Sequence, residues 1–392
     1  TCLAPASHLS RTAEVIVVGA GIVGSAIGAE LALLGHDVMI VEQGVPGAAV
    51  SGASLACIGS HMIDVEELPL LAWARDAWRT LDEEVGGFDY NPCGQLRFVL
   101  NKQDLAVARA WIEVERSAGL NVELLVPAQV REVEPSLTGP VLAASWSRDD
   151  AVVNPFLAVR ALLDRARDCG ARLETHCRVD SLIEREGKIA GVRCATTDMS
   201  AEHVVLAAGP WTARLAAGLG MNLPIRPRKA QCLATVRIPP SIRRVVGACE
   251  SDGGVEAGYT QIQQTRNGQV LFNTVLADGL VDDGAQDRIP EVDAAFIRDS
   301  VGTLLFLFPD LRGVRLLRSW VRFEAVTPDN RFLIGPLGPE GLWVAAGDCG
   351  AGFTRAPAIA RLIGQMLGDD RPAFDTTLYA PDRFSCESPT ST

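Results

Sequence analysis

"VIVVGAGIVGSAIGAELALLGHDVMIVEQ", residues 15–43, is the stretch whose reading decides the fold. Residues 14–18 read as a short β-branched strand of the kind a buried parallel sheet requires. Gly19-Ala20-Gly21-Ile22-Val23-Gly24 follows at once, and apolar residues at Ile22, Ala26, Ala29 and Leu33 then repeat at helical spacing. Gly35 closes that helix, and residues 38–41 form the next strand, with Glu42 and Gln43 at its tip. Each piece has a physical task. Gly19 allows the tight turn, Gly21 lets a pyrophosphate approach the backbone, and Gly24 lets helix and strand pack closely. The helix start at Ile22 and Val23 offers unpaired amides and the positive end of a dipole. Glu42 can accept hydrogen bonds from a ribose diol. A bare GxGxxG carries little weight, but here strand, glycines, helix and terminal acid fall in register. The segment reads as a dinucleotide site, and by itself it does not separate FAD from NAD.

The bulk numbers bound the rest. A chain of 392 residues is long enough for two domains, or for one nucleotide domain with a large insertion, and 48% apolar residues support a sizeable core. The net charge of −12 argues against nucleic acid and anionic membranes as partners. Ten cysteines without a CxxC pair read as buried or free thiols of a reducing cytoplasm, and no metal-ligand pattern stands out. The opening "TCLAPASHLSRTAEV" lacks the basic-then-apolar order of a signal peptide. No apolar run reaches the ~18 residues of a transmembrane helix. Three lysines against 33 arginines suggest a GC-rich bacterial genome.

Further along, residues 68–85 form an amphipathic helix with Leu71, Trp78 and Leu81 on its apolar side. Residues 88–100 read as turn plus strand, and 102–118 as another helix. Asn154-Pro155 opens a further helix, with proline where a missing amide costs least. From 223 to 323 the pattern changes to strands at 231–237, 257–264, 268–275 and 314–323. A hairpin turns at Asn267-Gly268, and one helical insertion falls near 291–306. This half predicts a large antiparallel sheet.

The longer form of the opening pattern, with Gly28, Leu31 and Gly35, resembles FAD oxidoreductases of the D-amino-acid oxidase and glycine/sarcosine oxidase superfamily. Two later blocks carry the same resemblance: "AEHVVLAAGPWTARLAAGLG" at 201–220, and Thr327-Pro328-Asp329 with Ile334-Gly335 and the glycine-rich run 347–353. It spans roughly 14 to 370. It implies an α/β FAD-binding domain, Rossmann-like and of the glutathione-reductase type, built from residues 1–85, 145–222 and 325–384. It also implies an α+β substrate domain from 86–144 and 223–324, leaving 385–392 as a loose tail. FAD would be held non-covalently. Ser51, Ser54, Leu55 and Ala56 would face the flavin diphosphate and ring, and Val179 the adenine. Ala208, Gly209 and Trp211 would close on the nucleotide, and Gly347, Asp348, Gly350, Ala351, Gly352, Phe353 and Thr354 would form the flavin clamp. Two departures stand out: Ala56-Cys57 where relatives commonly carry Gly-Gly, and Asp348 where most carry His. Cys57 reads as a small space-filling residue ahead of a redox thiol.

The chemistry that the resemblance implies is removal of a hydride from a C–N bond of an amino acid or secondary amine to flavin N5, with oxygen, a quinone or a partner protein as electron acceptor. No dedicated acid–base residue is required, so recognition groups should carry the information. Trp320, Arg322 and Glu324 alternate along one strand and share a face. In "SWVRFEAVTPD" Glu324 stands where glycine-oxidase-like relatives place a carboxylate-binding Arg. Glu324 is expected to hold the donor amine and Arg322 its carboxylate, or else the two form an ion pair flooring the pocket. Tyr259, Gln263 and His61 are further pocket candidates, and Lys229 reads as a solvated charge or a domain contact ahead of a role in oxygen activation. Oxidation of a 2-hydroxy acid is the alternative chemistry. A flavin subunit of a hetero-oligomeric amine or opine-type dehydrogenase is the alternative of another class, and homo-oligomers are compatible with all three.

Overall fold

The structure, a computed structural model, describes residues 11–195, 197–249, 260–273, 279–282, 284–288 and 290–384. Its first sheet runs, in spatial order, Leu333–Pro336, Leu342–Ala346, Thr197–Leu206, Thr12–Val18, Val38–Val41 and Arg172–Glu174. Thr12–Val18 pairs parallel with both neighbours, and Ser181–Arg185 with Lys188–Cys194 folds back antiparallel on Thr197–Leu206. The helices Ile22–Leu33, Pro155–Asp168 and Gly352–Leu367 cover one face of this sheet, with Val15, Val17, Ile27, Ile40 and Ile359 fully buried between them. Ile22–Leu33 differs from its single-faced expectation. It is buried almost all round, because the other two helices flank it, and Leu33 is the residue left exposed.

The second sheet runs Leu316–Val326, Arg226–Arg237, Gln269–Asn273, Gln261–Gln264, Val245–Ala248, Gln95–Val99, Ala143–Ser147 and Val122–Leu125. It is mixed. Every neighbouring pair is antiparallel except Val245–Ala248 with Gln95–Val99, which corrects the purely antiparallel expectation. Those two strands lie far apart in sequence, with the strands of residues 122–147 paired beyond them, so no hairpin forces an antiparallel junction. The expected helical insertion is the single helix Ala294–Leu307, capped by Asp293 on the amides of Ala295 and Phe296.

Alternation gives this sheet two faces. Leu96, Phe98, Leu233, Val246, Ile262 and Phe272 pack against Phe296, Leu304 and Leu307 of that helix. Their alternates, Gln95, Arg97, Gly247, Gln261 and Arg228, point the other way, toward the loop at 51–57. Among the described residues no helix is long and apolar enough to cross a membrane.

Candidate active site

Two cavities lie where the sheets meet. The first, of about 610 Å³, is walled by Gly19, Gly21, Ile22, Val23, Glu42, Gln43, Ser51, Val179, Ala208, Gly209, Trp211, Gly347, Asp348 and Gly352. The second, of about 420 Å³, is walled by Leu55, Ala56, Ala351 and Thr354 on one side and by Gln95, Arg97, Arg228 and Gln261 on the other. Ser54, Arg322, Glu324, Gly350 and Phe353 line both, so the two cavities adjoin and share a wall.

The first cavity's geometry follows from its sequence. Gly19 sits at φ +106°, and a Cβ there would lie 2.6 Å from the Ala207 carbonyl oxygen. Gly24 does not line the cavity; a Cβ on it would fall 1.9 Å from the Gly19 carbonyl oxygen, so its task is the close helix–strand approach. Ser51 Oγ accepts the Ile22 amide at 2.9 Å and ties the following loop to the helix start. Glu42 accepts the amides of Ala20 (2.9 Å) and Gly44 (2.8 Å), which fixes its carboxylate at the strand tip. A side-chain-free glycine turn, a helix N-terminus and an anchored acid on one elongated wall suit pyrophosphate and ribose together. The residues present therefore fit FAD.

At the junction, Glu324 is 1% exposed. Its Oε1 accepts Nε (3.0 Å) and Nη2 (2.7 Å) of Arg322, and its Oε2 accepts Nε (3.2 Å) and Nη2 (2.8 Å) of Arg228. Four N–H bonds fill the roughly four lone-pair positions of a carboxylate. Nothing remains to accept a donor amine, and this corrects the amine-holding expectation in favour of the ion pair. Burial would push the Glu324 carboxyl up, but Arg322 and then Arg228 more than offset this and hold it below the usual range. Arg322 is committed as well, to Glu324, to the Ala53 carbonyl and to Cys232 Sγ.

Asp348 gives Oδ1 to the Ala325 amide at 2.9 Å; burial first, and the nearby Glu324 charge second, push its carboxyl up to about 6. Burial also raises the Cys57 thiol far above its ordinary value, which keeps it protonated and fits the space-filling reading. Ala56 adopts φ 53°, the left-handed conformation a glycine would take more freely, and its side chain faces the second cavity. Leu55 gives its carbonyl to Gln263 Nε2 at 2.7 Å, and Thr354 Oγ1 accepts the Gly59 amide at 3.0 Å.

Two pocket candidates fall elsewhere. His61 is completely buried, its Nδ1 is 2.9 Å from Glu115 Oε2, and it lines neither cavity. Gln263 is turned onto the Leu55 carbonyl and also lines neither cavity. Tyr259 lies outside the described residues. Lys229 pairs with Phe323 on the face away from the site; Arg228, one residue earlier, lies opposite Glu324 in the strand register. Arg228, Arg97, Gln95, Gln261 and Trp111 went unread in the sequence. The alternation in "QLRFV" and "QIQQ" was the available signal, since it puts polar groups on a face with no reason to be solvent-exposed.

A glycine turn, a helix N-terminus and an anchored acid on the wall of one cavity, with a second cavity adjoining it, suit a dinucleotide beside a small ligand. The chain belongs to the FAD dependent oxidoreductase family (DAO), which it matches over residues 14–366, and FAD is that family's cofactor. It is 26% identical over 371 residues to the bifunctional protein ThiO/ThiG of Trichormus variabilis, covering 92% of this chain and 53% of that protein, so it spans about half the length of that relative. It is 26% identical over 377 residues to the glycine oxidase of Pseudomonas putida, covering 94% and 98%. Among solved structures, L-proline dehydrogenase from P. horikoshii superposes with a TM-score of 0.87 at 25% identity, covering 96% of this chain and 99% of that one.

Proposed function

We propose that this chain oxidises the C–N bond of an amino acid or secondary amine to the imine, and that FAD occupies the first cavity without a covalent link. The shared lining of the two cavities by Ser54, Arg322, Glu324, Gly350 and Phe353 carries the reading, because it gives a nucleotide and a small donor one common wall. FAD, when bound, supplies the two-electron acceptor. The chain's own residues do the rest. The glycine turn and Ser51 seat the diphosphate, Glu42 holds the ribose, and Val179, Ala208, Gly209 and Trp211 flank the nucleotide. The run 347–354 closes on the flavin edge, where the N-terminus of Gly352–Leu367 favours negative charge. The second sheet presents the donor. The division into a FAD-binding part (1–85, 145–222, 325–384) and a substrate part (86–144, 223–324) is supported by the strands each contributes to the two sheets. The burial of His61 against Glu115 supports non-covalent binding. The names of the relatives, glycine oxidase and L-proline dehydrogenase, support an amino-acid donor. Eight free cysteines among the described residues support a reducing, cytoplasmic setting.

Anaerobic mixing of the flavin-loaded protein with small amino acids, secondary amines and 2-hydroxy acids tests the reading. Bleaching of the flavin band by amines is the expected outcome. Bleaching by hydroxy acids alone, or by none of the three, would overturn it.

A further inference from the structure

The face of the second sheet that looks toward the loop at 51–57 is polar for a buried surface: Gln95, Arg97, Ser145, Gln261, Gln263 and Asn273 are each less than a tenth exposed. Buried polar atoms cost free energy unless they are paired, so each on such a face calls for a reason. Hydrogen-bond direction supplies one. The Leu55 carbonyl can only accept, so Gln263 must turn its NH2 toward it, at 2.7 Å. Gln263 Oε1 then faces Gln261, which answers with its own NH2 at 2.7 Å. The relay fixes the Gln261 amide one way round, Nε2 toward Gln263 and Oε1 away from it. Gln261 lines the second cavity, and Gln263 does not.

Strand register builds the rest of a niche. Gln261 lies opposite Gly247, and Gly247 opposite Arg97. Gly247 has no side chain, and a Cβ there would come 2.9 Å from the Thr260 carbonyl oxygen and 3.7 Å from Gln95 Nε2, so glycine is what lets Gln261, Gln95 and Arg97 sit this close together. Gln95 Nε2 borders the opening, buried and without a hydrogen-bond partner among the described residues. The niche therefore has the Gln261 acceptor on one side and the Gln95 amide on the other, beside the positive charge of Arg97, whose Nη1 and Nη2 already donate to the Ala248 and His61 carbonyls, with the outer backbones about 10 Å apart across two strand spacings. This matches a small molecule whose N–H and carboxylate stand on adjacent atoms.

We propose that Gln261 orients the donor nitrogen, its Oε1 accepting the amine N–H while the carboxylate turns toward Arg97 and Gln95, and that Gln263 is the positioning residue that locks it. The assignment rests on the amine-oxidation reading above and deepens it to an α-amino or α-imino acid donor. A neutral amide oxygen also suits the chemistry. It accepts an N–H without stabilising the ammonium form as a carboxylate would, so the nitrogen keeps the lone pair that must form the imine as hydride leaves the neighbouring carbon.

The test uses two planar acids of one shape, pyrrole-2-carboxylate with an N–H and furan-2-carboxylate without, titrated into the FAD-loaded protein by flavin difference absorbance. The wild-type chain should bind the pyrrole at least about tenfold more tightly, because the furan leaves an acceptor unpaired. Gln261→Met should erase that preference with flavin content unchanged, and Gln263→Met, which frees the Gln261 amide to turn, should reduce it. A wild-type chain without preference, or a Q261M chain that keeps it, overturns the assignment. Where Q261M fails to hold FAD, Q263M decides: full retention of the preference overturns the assignment. Amines that bleach the flavin with no pyrrole preference sink Gln261 alone. Absence of bleaching sinks the functional reading, while the ligand pair still decides Gln261.

Discussion

Asp348 stands in the glycine-rich turn that lines the first cavity, with one oxygen accepting the Ala325 amide, and burial with the Glu324 charge raises its carboxyl to about 6. The unfolded value is about 3.9, so the folded chain binds this proton more tightly than the unfolded one. The protonated carboxyl therefore contributes stability that is fully present below pH ~4 and is lost as pH rises through about 6. Asp348→Asn keeps the acceptor for Ala325 and removes the charge. The variant apoprotein should match wild type near pH 4 and exceed it above pH 6 by up to about 3 kcal/mol, read from denaturant midpoints at the two pH values. Glu324 teaches a different lesson at the same scale. Its place beside Arg322 on one strand face was legible from alternation alone. The partner that settles its role, Arg228, lies 96 residues earlier in the chain and is identified only once the register Arg228–Glu324 is known.

Elements were legible where the determinants are local. The glycine fingerprint, the helix Leu68–Glu84 with Leu71, Trp78 and Leu81 buried, and the turn at Gly268 all rest on spacing within a dozen residues. Gly24 and Gly28 separate two kinds of close packing inside one helix. A methyl at Gly24 meets backbone, the Gly19 oxygen at 1.9 Å, and no side-chain rotation removes that contact; a methyl at Gly28 meets the Ile40 Cδ1 tip at 2.4 Å, which can turn aside. Gly24→Ala should yield protein that is insoluble or without flavin. Gly28→Ala should keep its flavin at a cost of about 1–3 kcal/mol, with the ratio of flavin to protein absorbance as the measurement. Where elements were misjudged, long-range pairing won. The strand Arg226–Arg237 begins five residues before the expected start, because Pro227 reads against an interior strand. The parallel junction of Val245–Ala248 with Gln95–Val99 has no local mark at all.

At the scale of the whole molecule, two adjoining cavities lie between two sheets, so ligands filling them should tie the halves together. Anything that binds only the folded state stabilises it by mass action, about 4 kcal/mol at a thousandfold excess over its dissociation constant. Adding FAD to apoprotein should therefore raise the thermal midpoint by several degrees and increasingly with concentration; a midpoint indifferent to FAD would contradict the assignment of the first cavity. The two-faced second sheet has a longer consequence. Residues such as Gln95 and Gln261 answer to what is being oxidised, while their immediate neighbours Leu96 and Ile262 answer to cohesion with the helix behind. Lineages of this scaffold can thus exchange one set of alternate positions for another diet while inheriting the same foldable frame, and innovation and robustness are written on opposite sides of the same strands.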